Sequence, residues 1–284
     1  MARSLPLQNR DARGWAIVAR VLSEGDNHPM EDACGLAGDA AWVVDGATSV
    51  LPPLGLPGSS DPGWYAAELS GALATVASGQ QSSGQQASQC AASGVRDTVG
   101  QALRILDHRA EELVGPERIR FPSAALSVAQ LSRSTTGELT GVEVLSLADC
   151  HVVVREAATG AVHHIVSVLA DPGLSLGASS LETEQLAQSR RRRNTPVGLW
   201  VARREAEAAE HALVTSCGVP ELIVLASDGA WRAVDLGLVS GPGEFLAAVA
   251  SPVAALELQT ALRRRQAEIG EKADDATVLV LAVR

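Results

Sequence analysis

Three apolar runs in this 284-residue chain end in an aspartate, and a fourth begins directly after two of them. AAWVVDG places Asp45 after Val44, VEVLSLAD ends at Asp149, LIVLASDG ends in Asp228-Gly229, and Asp274 and Asp275 stand just before TVLVLAV. A further acidic pair, Glu31-Asp32 in NHPMEDA, precedes another apolar segment. A single Asp-Gly after a strand is most often only a turn, but independent turns are a weak account of the whole set. Carboxylates gathered at strand ends repel one another and are driven toward protonation unless a cation neutralises them. Oxygen donors without a neighbouring His or Cys suit a hard ion, Mg²⁺ or Mn²⁺, better than zinc or copper.

The runs that carry these residues are short, rich in Val, Ile and Leu, and bounded by Gly, Asp or Ser, which is the pattern of buried strands. It predicts strands over 15–22, 40–44, 124–131, 142–147, 151–155, 165–169, 222–226 and 277–283. Helical windows fall at 62–77, 95–114, 181–193, 206–217 and 244–269, the last broken or restarted by Pro252. Helices that arrive in pairs between groups of strands do not give the alternation of a parallel doubly wound sheet. They suit antiparallel sheets with helices on their outer faces. The polar stretch 78–94, SGQQSSGQQASQCAASG, reads as a mobile loop joining two helices within a single domain spanning 1–284. The Pro- and Gly-rich segment 49–63 follows Asp45-Gly46 and is expected to form part of the site's rim.

Asp and Glu number 33 against 23 Lys and Arg, a net charge of −10 that would repel a phosphate backbone, so nucleic acid is not an expected partner. Lys272 is the only lysine, and it lies in no phosphate-cradling loop or kinase motif. Cys34, Cys90, Cys150 and Cys217 are too scattered for a zinc site or a disulfide framework, which fits a reducing compartment. No apolar run approaches the roughly 18 residues of a membrane span, and the first residues show no apolar signal core. A cytoplasmic protein without a membrane partner is the expectation.

Taken in order, MEDA (30–33), WVVDGAT (42–48), VLSLADC (144–150), IVLASDGAW (223–231) and ADDATVLVL (273–281) resemble the PP2C-type, or PPM, metal-dependent protein serine/threonine phosphatases over nearly the whole chain. The resemblance implies an α+β fold, a central antiparallel β-sandwich flanked by helix pairs, with two Mg²⁺ or Mn²⁺ ions at one end. It implies that Asp45 bridges the two ions, that Glu31 and the Gly46 carbonyl help hold one, and that Asp228 and Asp274 hold the other. Asp149, with Asp228, matches the position of a third, weaker metal. Asp45 and Asp228 are then the central catalytic carboxylates. The nucleophile is a metal-bound water, the substrate is a phosphorylated protein, and a cognate kinase is a possible partner.

Three positions depart from the family pattern. The arginine that often grips the phosphate is replaced by Asn27, so the phosphate-binding residue is unknown; Arg20, Arg232 or the run at 190–193 could substitute, although such a run commonly marks a solvated helix face. The histidine expected two residues after the bridging aspartate is absent, and Ala47 and Thr48 follow Asp45-Gly46 instead. Arg232 stands where SDG-x-W is usually followed by aspartate, which would weaken a third metal and place a cation near the substrate. His28 could reach the site but reads as a loop-surface residue. These losses support an alternative function, a catalytically weakened PP2C-like module acting as a phospho-ligand sensor or regulatory binding partner. A second alternative, a serine hydrolase with Ser175 of GLSLG as nucleophile and His211 as base, lacks the strand that should run directly into the turn.

Overall fold

The structure, a computed structural model, describes residues 14–26, 28–49, 51–83, 94–168 and 180–284. Its strands are β1 (Trp15–Ser23), β2 (Asp32–Ala37), β3 (Ala40–Gly46), β4 (Ala124–Arg133), β5 (Leu139–Leu147), β6 (His151–Glu156), β7 (Val162–Ile165), β8 (Leu213–Cys217), β9 (Pro220–Ala226) and β10 (Ala276–Val283). They form two five-stranded sheets, ordered β1-β10-β9-β6-β7 and β2-β3-β4-β5-β8, and every pairing is antiparallel. The helices are α1 (Asp61–Ser83), α2 (Val95–Val114), α3 (Ser180–Arg192), α4 (Ala208–His211), α5 (Asp228–Asp235), α6 (Pro242–Ala248) and α7 (Pro252–Ile269). This is the expected α+β arrangement of a β-sandwich between helical layers.

Four layers make three apolar seams, which explains why the strands are continuous apolar runs rather than alternating ones. Between the sheets, Ala41, Val43, Val144, Val152, Ile223, Leu225 and Leu279 interdigitate. The alternate residues of the same strands face outward into helices: Trp42, Val44, Leu126 and Leu145 meet Leu69, Leu73, Leu103 and Leu106 of α1 and α2. On the opposite face Val153, Val224, Val278 and Val280 meet Phe245, Leu262 and Trp231. Polar residues buried in the middle of these strands are uncharged and hydrogen-bonded, as Ser127 is to Ser146 at 3.1 Å, and the site aspartates stand near the strand ends.

Several expected boundaries move. Helix α1 continues to Ser83, so the first residues of the polar stretch 78–94 are helical, and 84–93 lie outside the described residues. The window at 206–217 splits into the single turn α4 and the edge strand β8, because Leu213 to Cys217 pair with β5 through Val142 to Ser146. The seventh strand is Val162–Ile165, earlier than 165–169, since His163 and His164 pair with Val154 and Val153. Pro252 begins a helix: the Ser251 side chain accepts from the Ala254 N–H at 3.2 Å, and Gly270 closes the other end at φ 68°.

One buried cation holds a helix end outside the sheets. Arg204 is fully buried and donates to Asp107 Oδ1 (2.6 Å), Glu111 Oε2 (2.6 Å) and the carbonyls of Gly115 (2.6 Å) and Glu117 (2.8 Å). Its guanidinium also lies 5.4 Å from the Phe121 ring centre. Arg204→Met would leave the part-buried carbonyls of Gly115 and Glu117 and the carboxylates of Asp107 and Glu111 without this partner, and a loss of about 3 kcal/mol is expected from urea unfolding.

Candidate active site

Every acidic segment singled out from the sequence ends at the same mouth of the sandwich. Asp45 is near the end of β3 and pairs across the ladder with Asp32, the first residue of β2; Asp228 follows β9 and opens α5; Asp274 precedes β10. Asp149 lies in the crossing from β5 to β6, aimed by Ala148, whose φ of 63° is left-handed and costs about 1–2 kcal/mol for a residue with a Cβ. Asp228-Gly229 is not a turn, as an isolated Asp-Gly suggests, but the first turn of a helix.

Glycines allow these segments to touch. A Cβ on Gly46 would lie 2.4 Å from the Glu31 carbonyl oxygen, one on Gly229 would lie 1.9 Å from that of Asp275, and one on Gly25 would lie 2.7 Å from that of Ala273. The Gly46 N–H donates to the Glu31 carbonyl at 3.1 Å. Buried Asp275 accepts from the Gly25 N–H (2.7 Å) and the Glu31 N–H (2.5 Å), tying the Glu31 loop to the segment ahead of β10 that carries Asp274. Gly229→Ala is expected to lower stability by about 2–3 kcal/mol, because backbone must shift. Gly71→Ala, in α1 with nothing near its missing Cβ, is expected to raise it by about 0.5–1 kcal/mol; urea midpoints of the two variants check both.

The clustered charges oppose one another. Burial first, then the charges of Asp32, Asp228, Asp149 and Asp274, hold the Asp45 carboxyl well above its usual range. Burial, then Asp149 and Asp274, push Asp228 up to about 7, although Asp45 comes within hydrogen-bonding reach and pulls the other way. Asp32 is pushed up to about 8, chiefly by burial, against the hydroxyls of Thr277 and Ser227. Burial also raises Glu31, opposed by Ser60 and Thr48, and raises Asp149, opposed by Arg193 and Arg190 among others. The Thr48 hydroxyl donates to Glu31 Oε2 at 2.9 Å.

Among the described residues no three His, Cys, Asp or Glu side chains stand in one coordination sphere. The donor set nonetheless fits hard divalent cations: it is all oxygen, it cannot ionise fully by itself, and Asp32 Oδ2 is buried without a partner. Asp32 is a site residue that sequence reasoning left without a role. Its register opposite Asp45 is the signal, visible only once β2 is recognised as a strand.

The remaining sequence candidates separate. Arg232 is not a cation facing substrate; it forks onto Glu271 at 2.9 and 2.8 Å. Arg20, an exposed residue of β1, lies beside Cys34. Arg190 and Arg193 are turned inward, not spread on a solvated face. His28 is not a surface residue: its side chain is 12% exposed, with Nε2 3.6 Å from Asp274 Oδ1 and Nδ1 3.9 Å from Asp275 Oδ1. His211 stacks on Trp200, with ring centres 3.6 Å apart, whereas Ser175 and Asn27 lie outside the described residues. Trp231 of the SDG-x-W element stacks on His151 and His164, at 4.2 and 4.5 Å, and the two rings meet at 2.9 Å.

The fold is that of the PP2C-type serine/threonine phosphatases. The Mycobacterium tuberculosis serine/threonine phosphatase PstP/Ppp superposes with a TM-score of 0.53 at 15% identity, covering 95% of this chain and 98% of that one. The catalytic domain of PstP in complex with two manganese ions gives 0.51 at 12% identity, with 95% and 98% covered. The serine/threonine phosphatase Stp1 of Staphylococcus aureus gives 0.52 at 12% identity, with 100% and 99% covered. No family model matches the sequence, and neither does any curated protein.

Proposed function

We propose that this chain is a metal-dependent phosphatase that hydrolyses phosphoserine and phosphothreonine esters of proteins. The observation that carries the reading is the convergence of Glu31, Asp32, Asp45, Asp149, Asp228 and Asp274, from separate strand ends, on one mouth where burial first and then neighbouring carboxylates raise Asp32, Asp45, Asp149 and Asp228. Asp45 would bridge two Mg²⁺ or Mn²⁺ ions, with Glu31 and the Gly46 carbonyl on one and Asp228 and Asp274 on the other. Asp149 and Asp228 would hold a weaker third. When bound, such an ion pair lowers the pKa of a shared water and aligns it for in-line attack on phosphorus.

The chain's own residues set that chemistry. Asp275 fixes the Glu31 loop through two backbone N–H groups, and Asp45 comes within hydrogen-bonding reach of Asp228, which supports assigning the two to one site. The leaving alcohol finds no histidine at Ala47 or Thr48, and the Thr48 hydroxyl is engaged by Glu31. A missing general acid lowers rates by about 10² to 10⁴, most severely for an alkoxide leaving group. That engagement favours the weakened sensor or regulatory partner as the second reading. Hydrolysis of p-nitrophenyl phosphate tests the first, since nitrophenolate leaves with little protonation. Mn²⁺-dependent, EDTA-reversible release of nitrophenol is expected; Mn²⁺ binding by calorimetry without release would transfer the assignment to the sensor.

A further inference from the structure

The resemblance leads one to expect a phosphate-gripping arginine ahead of Glu31, where Asn27 stands instead. A cleft beside the acidic mouth is lined by Thr48, Arg120, Ser123, Arg190, Arg193 and Arg203, a concentration of cations in a chain whose net charge is −10. Two of the four arginines are engaged by carboxylates: Arg203 donates to Glu205 at 3.0 and 2.9 Å, and Arg120 pairs with Glu117 at 3.1 Å. Arg190 and Arg193 are placed differently. Arg190 Nη2 donates to the Thr48 carbonyl at 3.2 Å, and Arg193 Nη1 donates to the Ser123 hydroxyl. Arg193 Nε is buried without a hydrogen-bond partner.

Both arginines border the carboxylate cluster. Arg190 is close enough to Asp149, Asp45 and Glu31 for their charges to steady it, and Arg193 is steadied by Asp149. Burial and the proximity of Arg190 disfavour the charged form of Arg193. Two crowded, desolvated guanidiniums next to a site for divalent cations match a doubly charged tetrahedral anion, which can take a fork from each.

We propose that Arg190 and Arg193 form the subsite that grips the phosphoryl group of a phosphomonoester dianion, with Thr48 and Ser123 holding the two guanidiniums in place. The proposal rests on the phosphatase reading and adds the residues that select its substrate. It also gives the arginine run a division of labour: Arg190 and Arg193 face the cleft, while Arg191 and Arg192 between them are exposed.

Inorganic phosphate is the probe. Calorimetry on the Mn²⁺-loaded protein is expected to show phosphate affinity falling about 10- to 100-fold in Arg190→Ala and in Arg193→Ala, the loss of a charge-assisted hydrogen bond. KM for p-nitrophenyl phosphate should rise in step with less change in kcat, Lys at either position should recover part of the affinity, and the double variant R191A/R192A should bind phosphate as the parent does. If an alanine variant does not fold, the lysine variants carry the comparison through their incomplete affinity. Unchanged phosphate affinity would overturn the subsite, as would a loss that only follows weakened Mn²⁺ binding, the mark of a counter-charge to Asp149. Phosphate binding that depends on these arginines in a protein without turnover would support the subsite while removing the phosphatase reading. Turnover with phosphate affinity indifferent to them would do the reverse.

Discussion

Asp45→Asn is expected to reduce Mn²⁺-dependent phosphate release to background, a fall of at least about 10³-fold, and to abolish calorimetric Mn²⁺ binding while the fold persists. In the proposed arrangement Asp45 would serve both ions, so its removal would take a donor from each, and the several kcal/mol of transition-state charge stabilisation that such ions would supply correspond to that factor. The same change should raise the melting temperature of the metal-free protein. Asp45 sits amid Asp32, Asp228, Asp149 and Asp274, whose charges oppose its own, so a neutral amide relieves repulsion. A variant that loses turnover but gains thermal stability in EDTA separates a ligand role from a packing role. Unchanged turnover would remove Asp45 from the centre of the site.

The pH dependence of stability should reverse its character when metal is added. Asp228 and Asp32 are raised to about 7 and about 8, so between about pH 4 and pH 8 the folded state holds protons that the unfolded chain has released. Stability contributed by such groups is present at low pH and lost as pH rises through the folded pKa. His151 works in the opposite direction: burial holds it down to about 3, and His164 is lowered too, so both subtract stability as pH falls below about 6.5. The carboxylates are more numerous, because Asp45, Asp149 and Glu31 are raised as well. In EDTA the protein should therefore lose stability between pH 5 and pH 8, with its stability maximum on the acid side of neutrality. Saturating Mn²⁺ should abolish this decline and add about 2.7 kcal/mol at a hundredfold excess over Kd. Urea unfolding at four or five pH values, with and without Mn²⁺, checks the sign; metal-free stability that increased from pH 5 to pH 8 would contradict the clustered carboxylates.

The acidic strand ends were legible because a buried, unpaired charge is costly in the middle of a strand covered on both faces, and the termini of AAWVVDG, VEVLSLAD and LIVLASDG carry the aspartates. Composition and order therefore indicated both the layers and the mouth. What was not legible depended on contacts between distant segments. The glycines of the two Asp-Gly pairs are required by the carbonyls of Glu31 and Asp275 across the mouth, which local turn statistics do not contain. Asp32 gained meaning only from its pairing with Asp45. The arginine run looked solvated because Arg191 and Arg192 are, and the inward turn of Arg190 and Arg193 is set by Thr48 and Ser123, more than sixty residues away in sequence. Residues 213–217 read as a helical continuation because an edge strand with one open face carries less apolar signal than a central one.

The most direct test of the central claim is phosphate release from a phosphothreonine peptide by the purified chain, measured with millimolar Mn²⁺ and again after EDTA. Metal-dependent release that disappears with EDTA and with Asp45→Asn is the expected result, slower than release from p-nitrophenyl phosphate because Ala47 and Thr48 stand where a histidine would protonate the departing alcohol. No release from either substrate by protein that binds Mn²⁺ would contradict the account and leave a phospho-ligand binding module.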